Sequence, residues 1–353
     1  MPYQITSDTK HQIVLKNKEK KIYLDPRQIL DENYVFISHA HIDHMLNKSA
    51  FKKYNLRNKI ICSPETFAIA TLRGYLFEKE IHYQDDCTLV DTGHILGSRG
   101  LLVGNEIFYT GDLSMRDRAF LRKTTIPKAD TLIIETTFGK PEYIFPPLEH
   151  ITHHVNSLIS EMYSRGIPVI LMGYSLGKAQ ILTSLFGAWK PLIVHDEIFK
   201  FNQMYEQFGV SLENSISLSS ASELGLLDKG PWIMIHPLTN GKNAELSHYK
   251  EKYGAITIGF SGWAINRNYR NMMNLDYVIP FSDHCDHNEL LEVVKQCNPR
   301  KIYTFHGFQE EFAKYLVKLG YDAESIKRGG RTIKKEKKEF KIVPKTKSLD
   351  IYF

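Results

Sequence analysis

The sequence predicts an α/β protein in two units, a metal-binding unit interrupted by a parallel α/β insertion. Three observations lead there. Apolar strands in residues 1–142, and again in 276–330, end at or beside histidines or carboxylates. Residues 143–275 alternate strand and helix patterns without that recurrence, as a parallel sheet requires. A length of 353 residues exceeds what one small core organises.

Tyr34-Val35-Phe36-Ile37-Ser38 reads as a buried strand running into His39. Lys59–Cys62 is another short strand, and Pro64–Phe77 a helix with Ser63 as N-cap and proline at its first position. Cys87–Asp91, Glu106–Thr110 and Thr131–Glu135 are strands, each leading to a candidate site residue. The insertion opens with a helix over Leu148–Arg165, stopped by Gly166, and a strand over Pro168–Met172. Gly173–Gln180 turns into a further helix, and the alternation continues through Val194, Trp232–His236 and Ile256–Phe260. From Tyr277 site-type residues return, on a strand to Phe281, a helix Asn288–Gln296, a strand Lys301–Phe305 and a helix Gln309–Leu319. There is no internal repeat.

Composition is that of an ordinary globular chain. The polar N-terminus lacks a signal-peptide layout, and no apolar run approaches the roughly 18 residues of a membrane helix, so the expectation is a cytoplasmic protein without membrane contact. Cys62, Cys87, Cys285 and Cys297 form no CxxC pair, which argues against thiolate zinc ribbons and a disulfide framework. Of the net charge of +5, the excess sits at the C-terminus: residues 327–347 hold ten Lys/Arg against Glu336 and Glu339. Residues 331–353 read as a basic flexible tail that is either simply solvated or seeks phosphate.

The strongest chemical signal is Ser38-His39-Ala40-His41-Ile42-Asp43-His44. His39 and His41 stand two apart at a strand end and so point the same way. Three imidazoles and a carboxylate in six residues suit one or two borderline-soft cations such as zinc. His94, Asp112 and His306 follow later strands and, joined to the first cluster, make two sites sharing one carboxylate. Asp25, before Pro26, is either a turn-starting residue or a carboxylate that fixes a ligand imidazole through its other N–H. Two cations about 3.5–4 Å apart clamp the attacking and leaving oxygens of a phosphodiester and bring the pKa of bound water toward ~7. Glu135 and His284 are then candidates for protonating the leaving oxygen.

These residues resemble a known family. His39–His44, Gly93–Ser98, Tyr109–Asp112, Ile133–Gly139, Phe281–His284 and Phe305–Gly307 are similar, in order, to the motifs of the metallo-β-lactamase β-CASP nucleases. Gly173–Gln180 resembles the first helix entry of that family's inserted domain, and the likeness runs from about Asp25 to Tyr321. The first cluster alone leaves glyoxalase-like and lactamase-like hydrolases open; the Glu135, His284 and His306 motifs point to nucleases.

The resemblance implies a four-layer αββα metallo-β-lactamase domain, residues 1–142 and 276–330, with an inserted parallel β-CASP domain, 143–275. It implies two Zn2+, with Mn2+ an alternative. His39, His41 and His94 would hold one, Asp43, His44 and His306 the other, and Asp112 would bridge. Asp43 would also orient the water-derived nucleophile, with Glu135 and His284 in proton transfer or phosphate contact. Ser175 and Lys178, at a helix start, are candidates to meet a phosphate.

Ser175–Gln180, Ser261–Trp263, Ser282–His284 and Thr304–Gly307 look most like the ligase-associated DNA exonucleases, relatives of the mRNA 3′-end processing factors and ribonuclease J. His at position 306 is usually linked with RNA substrates, but the ligase-associated group carries it too, so it does not decide between DNA and RNA. The last residues, with Leu349, Tyr352 and Phe353, resemble a sliding-clamp binding peptide whose leading Gln is replaced by Thr346. The expected activity is DNA exonuclease on single-stranded ends, with an RNA nuclease as the alternative. A small-thioester or lactam hydrolase leaves the inserted domain unexplained, and a catalytically dead scaffold leaves the ligand set unexplained.

Overall fold

The computed structural model describes residues 3–7, 13–56, 58–75 and 86–326. The proposed clamp residues Leu349, Tyr352 and Phe353, with the rest of the basic tail, lie outside these.

Alternating burial explains the layers. The first sheet orders β1 (Gln4–Ser7), β2 (Ile13–Lys16), β3 (Lys21–Leu24), β4 (Tyr34–Phe36) and β5 (Ile60–Ile61) side by side. A second sheet contains β6 (Cys87–Asp91), β7 (Arg99–Val103), β8 (Ile107–Tyr109) and β9 (Thr131–Glu135). The chain then builds a third sheet from β10 (Val169–Gly173), β11 (Leu192–Val194), β12 (Ile216–Ser217), β13 (Ile233–Pro237), β14 (Ile256–Phe260) and β15 (Tyr277–Ile279). It returns to complete the second sheet with β16 (Lys301–Phe305) and β17 (Ala323–Ser325), in the order β17-β16-β9-β8-β7-β6.

In β2, Ile13 and Leu15 face the second sheet while Val14 faces outward; in β9, Ile133 meets the first sheet while Leu132 and Ile134 face the helices His287–Cys297 and Gln309–Lys318. Because side chains alternate with period two, each strand serves two apolar layers. Helices Lys48–Lys53 and Pro64–Leu72 cover the outer face of the first sheet. The result is helices, sheet, sheet, helices, the four layers expected. Ser63 does cap Pro64–Leu72, its Oγ accepting from the Thr66 N–H at 3.0 Å, but the helix ends five residues before the expected Phe77.

The third sheet is parallel throughout, in the order β12-β11-β13-β10-β14-β15, with apolar clusters on both faces. Its strands accordingly read as continuous apolar runs, Val169–Gly173 being buried at every position. One assignment changes. Tyr277–Ile279, expected in the metal-binding unit, pairs with Ile258–Phe260 at the edge of the inserted sheet, so the strand precedes the return rather than beginning it. Periodicity identifies a buried strand but not which sheet it joins. Among the described residues no helix is long and apolar enough to cross a membrane.

The two units meet over buried charge. Arg118, Lys178 and Asp283 are each nearly inaccessible. Arg118 Nη1 lies 3.2 Å and Lys178 Nζ 3.6 Å from the Asp283 carboxylate. Arg118 also donates to the Gly93, His94 and Ser282 carbonyls, and Lys178 to the Phe281 carbonyl at 3.1 Å. Removing the one carboxylate leaves two desolvated cations facing each other. Asp283→Ala is therefore expected to destabilise the protein by about 3–5 kcal/mol, read from the denaturant midpoint; a shift near zero would show that the pairs contribute nothing.

Candidate metal centre

Strand direction gathers the site. β8, β9 and β16 are parallel, and β6, antiparallel to β7 as β7 is to β8, runs the same way. Their ends therefore deliver His94, Asp112, Glu135 and His306 to one edge. Glu135 lies in register with Phe305, which puts His306 beside it. β4, from the other sheet, delivers His39, and the 3₁₀ turn Ile42–His44 follows at once.

The backbone is forced where the chain closes in. Gly111 has φ +53°, and a Cβ there would come within 2.6 Å of the Ser38 side chain, next to His39. His306 takes φ +59° and Asp25 φ +42°, rare for residues with a side chain. Such conformations concentrate where surrounding structure holds a functional group in place.

The ring nitrogens converge. His39 Nε2 and His41 Nδ1 are 3.0 Å apart, and His41 Nδ1 and His94 Nε2 3.2 Å. Asp112 Oδ2 stands 3.5 Å from His39 Nε2 and 3.7 Å from His94 Nε2. In a tetrahedral zinc site with bonds near 2.0–2.1 Å, ligand atoms are about 3.3–3.4 Å apart, so these four atoms fit one cation. On the other side of Asp112 lie His44 Nε2 at 3.1 Å and His306 Nδ1 at 4.0 Å, a second cluster through the same carboxylate.

Each candidate ligand is aimed by its outer nitrogen. His39 Nδ1 meets the Ser38 hydroxyl at 2.9 Å, and His41 Nε2 donates to the Leu176 carbonyl at 3.0 Å. His94 Nδ1 donates to the Asp283 carbonyl at 3.0 Å, and His44 Nδ1 to Asp25 Oδ2 at 2.8 Å. With the proton so placed, the opposite nitrogen presents a lone pair inward, as metal-bound imidazoles do. Asp25 thus holds a candidate ligand ring, and its carboxylate also accepts from the Ser38 N–H and Oγ–H and from the Tyr109 hydroxyl. His44 Nε2 and Asp112 Oδ1 are buried without a hydrogen-bond partner. Such atoms are costly unless something coordinates them, and the donor set fits zinc.

Electrostatics separate the rings. Burial and neighbouring imidazoles hold His39 and His94 well below the ordinary histidine value, and burial lowers His41 despite its bond to Leu176. Burial works the same way on His44, but Asp112 and Asp25 outweigh it and hold that ring well above its usual value. Burial would raise Asp112, yet the rings of His44 and His284 hold it well below the carboxylate range.

Glu135 is fully buried. Its Oε1 accepts from the Leu113 N–H at 3.1 Å and from His284 Nδ1 at 2.9 Å, and its Oε2 accepts from the Thr137 N–H at 3.1 Å. Glu135 is thus engaged on both oxygens, while His284 remains 22% exposed, 4.0 Å from Asp112. Burial opposes protonation of His284, but Glu135 and Asp112 together push it up to about 9.

Two expected residues sit differently. Asp43 belongs to neither cluster: its side chain is 74% exposed and its Oδ2 is 3.8 Å from His44 Nε2. A 3₁₀ turn rotates successive side chains by about 120°, so with His44 inward Asp43 faces out, toward the cleft. Lys178 is not offered to a phosphate in this structure, because its ammonium is drawn inward to Asp283 and Phe281. Ser175 does line the cleft.

That cleft, of ≈ 1010 Å³, lies between the units. One wall carries Asp43, His94, Asp112 and His306; the other carries Tyr174, Ser175 and Trp263 from the inserted sheet's strand ends. An aromatic group missed as a set by the sequence reading backs the wall: Phe138, which lines the cleft, packs on Trp263 with ring centroids 4.9 Å apart and edge-on to His284 at 6.0 Å, and in the apolar cluster behind it Tyr143 stacks on Phe308 at 5.3 Å. Arg118 was also missed. A lone arginine carries no signal of its burial, whereas Phe138 and Trp263 do sit beside recognisable motifs.

Comparison with known proteins bears on this geometry. The family described as Zn-dependent metallo-hydrolase RNA specificity domain matches residues 270–325. The chain is 32% identical over 309 residues to a probable DNA ligase of Opitutus terrae, across 82% of this chain and 28% of that protein. It is 24% identical over 373 residues to the transcription termination factor FttA of Methanocaldococcus jannaschii, across 79% of this chain and 59% of the factor. The chain therefore spans less than two thirds of the length of either relative. A solved structure, a protein of unknown function from Enterococcus faecalis V583, shares the fold with a TM-score of 0.57 at 15% identity, covering 90% of this chain and 95% of that one.

Since Asp25 aims His44, Asp25→Asn is expected to weaken metal binding by roughly 10–100-fold. Competition with a chromogenic chelator measures this, and unchanged affinity would remove Asp25 from the site.

Proposed function

The chain belongs to the metallo-β-lactamase β-CASP nuclease family, and from that premise we propose that it is a metal-dependent nuclease hydrolysing phosphodiester bonds at single-stranded DNA ends. The observation that carries the reading is the Glu135–His284 pair set beside a carboxylate shared by two imidazole clusters, in a cleft walled by both units. His39, His41 and His94 would hold one Zn2+, and His44 and His306 the other, with Asp112 between them; Asp43, outside both clusters, would join the second only by turning inward from the cleft. When bound, these cations, or Mn2+ in their place, supply Lewis acidity toward the phosphate and acidify a water.

The chain's own residues do the rest. Glu135, engaged on both oxygens, keeps His284 oriented and cationic. His284 then donates a proton to the leaving oxygen. Asp43, at the cleft mouth, orients the incoming water. Trp263, 37% exposed, offers a face on which a base can stack. Ser175 contributes a hydroxyl to phosphate contact.

DNA is favoured by the relative named a probable DNA ligase, which aligns over 82% of this chain. An RNA nuclease is the second reading, motivated by the RNA-specificity family matched at 270–325. Docking of Leu349, Tyr352 and Phe353 on a sliding clamp belongs to the DNA reading and rests on the sequence pattern alone.

Digestion of 5′- and 3′-labelled DNA and RNA strands, with chelator, Zn2+ or Mn2+, tests the proposal. Chelator-sensitive shortening of DNA is expected. Cleavage confined to RNA would sink the DNA reading, and no metal-dependent cleavage of either would sink both. Trp263→Ala should raise KM about 5- to 150-fold, the equivalent of ~1–3 kcal/mol of base stacking, with kcat nearly unchanged.

The pH profile gives a further test. A step that needs the His284 proton runs below about pH 9 and slows as pH rises through that value. Glu135→Gln removes the strongest charge raising it, so the alkaline limb should move to lower pH while kcat falls by roughly 10²–10⁴-fold. A limb that stays in place would assign the proton to another group.

A further inference from the structure

Outside the cleft, a separate cluster of ligand-type side chains sits on the inserted sheet. β11 and β13 are adjacent and parallel, with Val194 opposite Ile235, so their next residues, His195 and His236, emerge side by side. Their ring centroids are 5.1 Å apart. Glu245, in the first turn of the helix Ala244–Tyr253, closes the third side, with Oε2 3.3 Å from His236 Nε2. One donor atom from each of the three residues lies within 4.8 Å of the others.

Two independent features go beyond proximity. His236 is 3% exposed, and its Nε2 is buried with no hydrogen-bond partner. Its Nδ1 donates to the Pro237 carbonyl at 2.8 Å, which fixes the tautomer and turns the Nε2 lone pair toward Glu245. An acceptor facing a carboxylate is a repulsive arrangement unless a proton or a cation stands between them. Glu245 is itself steered, its Oε1 accepting from the Tyr249 hydroxyl at 3.2 Å. The 3.3 Å separation matches the edge of a tetrahedral zinc site, about 3.3–3.4 Å.

We propose that His195, His236 and Glu245 form a zinc site in the inserted unit, distinct from the centre at Asp112, with the remaining coordination open to water. Two imidazoles and one carboxylate are a donor set for a borderline divalent cation. The cation ties the ends of β11 and β13 to the start of the helix Ala244–Tyr253. His195 Nδ1 accepts a long contact from the Glu197 N–H at 3.2 Å. Ligation through either ring nitrogen ends that contact, because the lone pair is used or the proton moves to Nδ1, so zinc replaces one weak cap with a bond.

The test is the zinc content of the full-length chain, loaded with Zn2+, freed of excess metal and measured by mass spectrometry, for wild type, His195→Ala and Glu245→Gln. Each variant is expected to hold one equivalent fewer than wild type, with chelator-sensitive cleavage of labelled strands unchanged. Glu245→Gln is nearly isosteric and partly exposed, so folding is not at issue for it. Its zinc-induced rise in thermal midpoint should be smaller than that of wild type. Wild-type zinc content in both variants would overturn the proposal. So would loss of more than one equivalent from Glu245→Gln, since a separate site cannot empty the main centre.

Discussion

The structure turns on one carboxylate. Asp112 is buried among His39, His44, His94, His284 and His306, with ring nitrogens at 3.1–4.0 Å. Five imidazoles cannot all be charged in so dry a space, nor can their lone pairs face each other without cost. The fold answers by fixing protons on the outside of the cluster: Asp25, Leu176, Asp283 and Ser38 each take or meet an outer nitrogen. What remains on the inner side of His39, His41 and His94 is a set of acceptor nitrogens gathered beside one anion, an arrangement that a cation satisfies.

The outer partners also tie the two units to the site. Leu176 belongs to the inserted unit, and Asp283 follows its last strand, yet they aim His41 and His94. Asp283 does this with its backbone carbonyl while its side chain holds Arg118 and Lys178. Gly177 shows the tightness of the seam: with φ +90°, a Cβ there would lie 2.3 Å from Ile95, next to His94. A shift of the inserted unit would therefore change the aim of the inner imidazoles as well as the width of the cleft.

Much of this was legible in the sequence, for physical reasons. The strands ending in His39, Glu135 and His306 are short apolar runs, and a parallel sheet sends such ends to one edge, so convergence follows from pattern. The role of Asp25 was open because the residue is separated in sequence from the ring it holds, and only the paired strands β3 and β4 bring them together. The outward turn of Asp43 and the inward turn of Lys178 depend on local helix geometry and buried partners, which residue type does not reveal. Tyr277–Ile279 was given to the wrong unit because a buried strand looks the same whichever neighbour it pairs with. His195, His236 and Glu245 escaped notice because each is an ordinary residue at a strand or helix end until register sets two of them side by side.

The shape of the cleft bears on substrate size. A small ester or lactam needs the metal cluster and a short pocket, which the four-layer unit can build alone. Here the ends of β10, β14 and β15 add Tyr174–Leu176, Ser261–Trp263 and Ser282–His284 across from the cluster, and they bring an aromatic wall. His284 reaches Glu135 only because the chain has first passed through the inserted sheet, so the carboxylate–imidazole pair is assembled from both units. A site whose proton-handling pair and opposite wall both require the insertion leaves room for a substrate longer than the imidazole cluster, in keeping with the proposed nucleic-acid strand. The same room has no counterpart in what a small acyl compound requires, which is why the proposed function favours the strand.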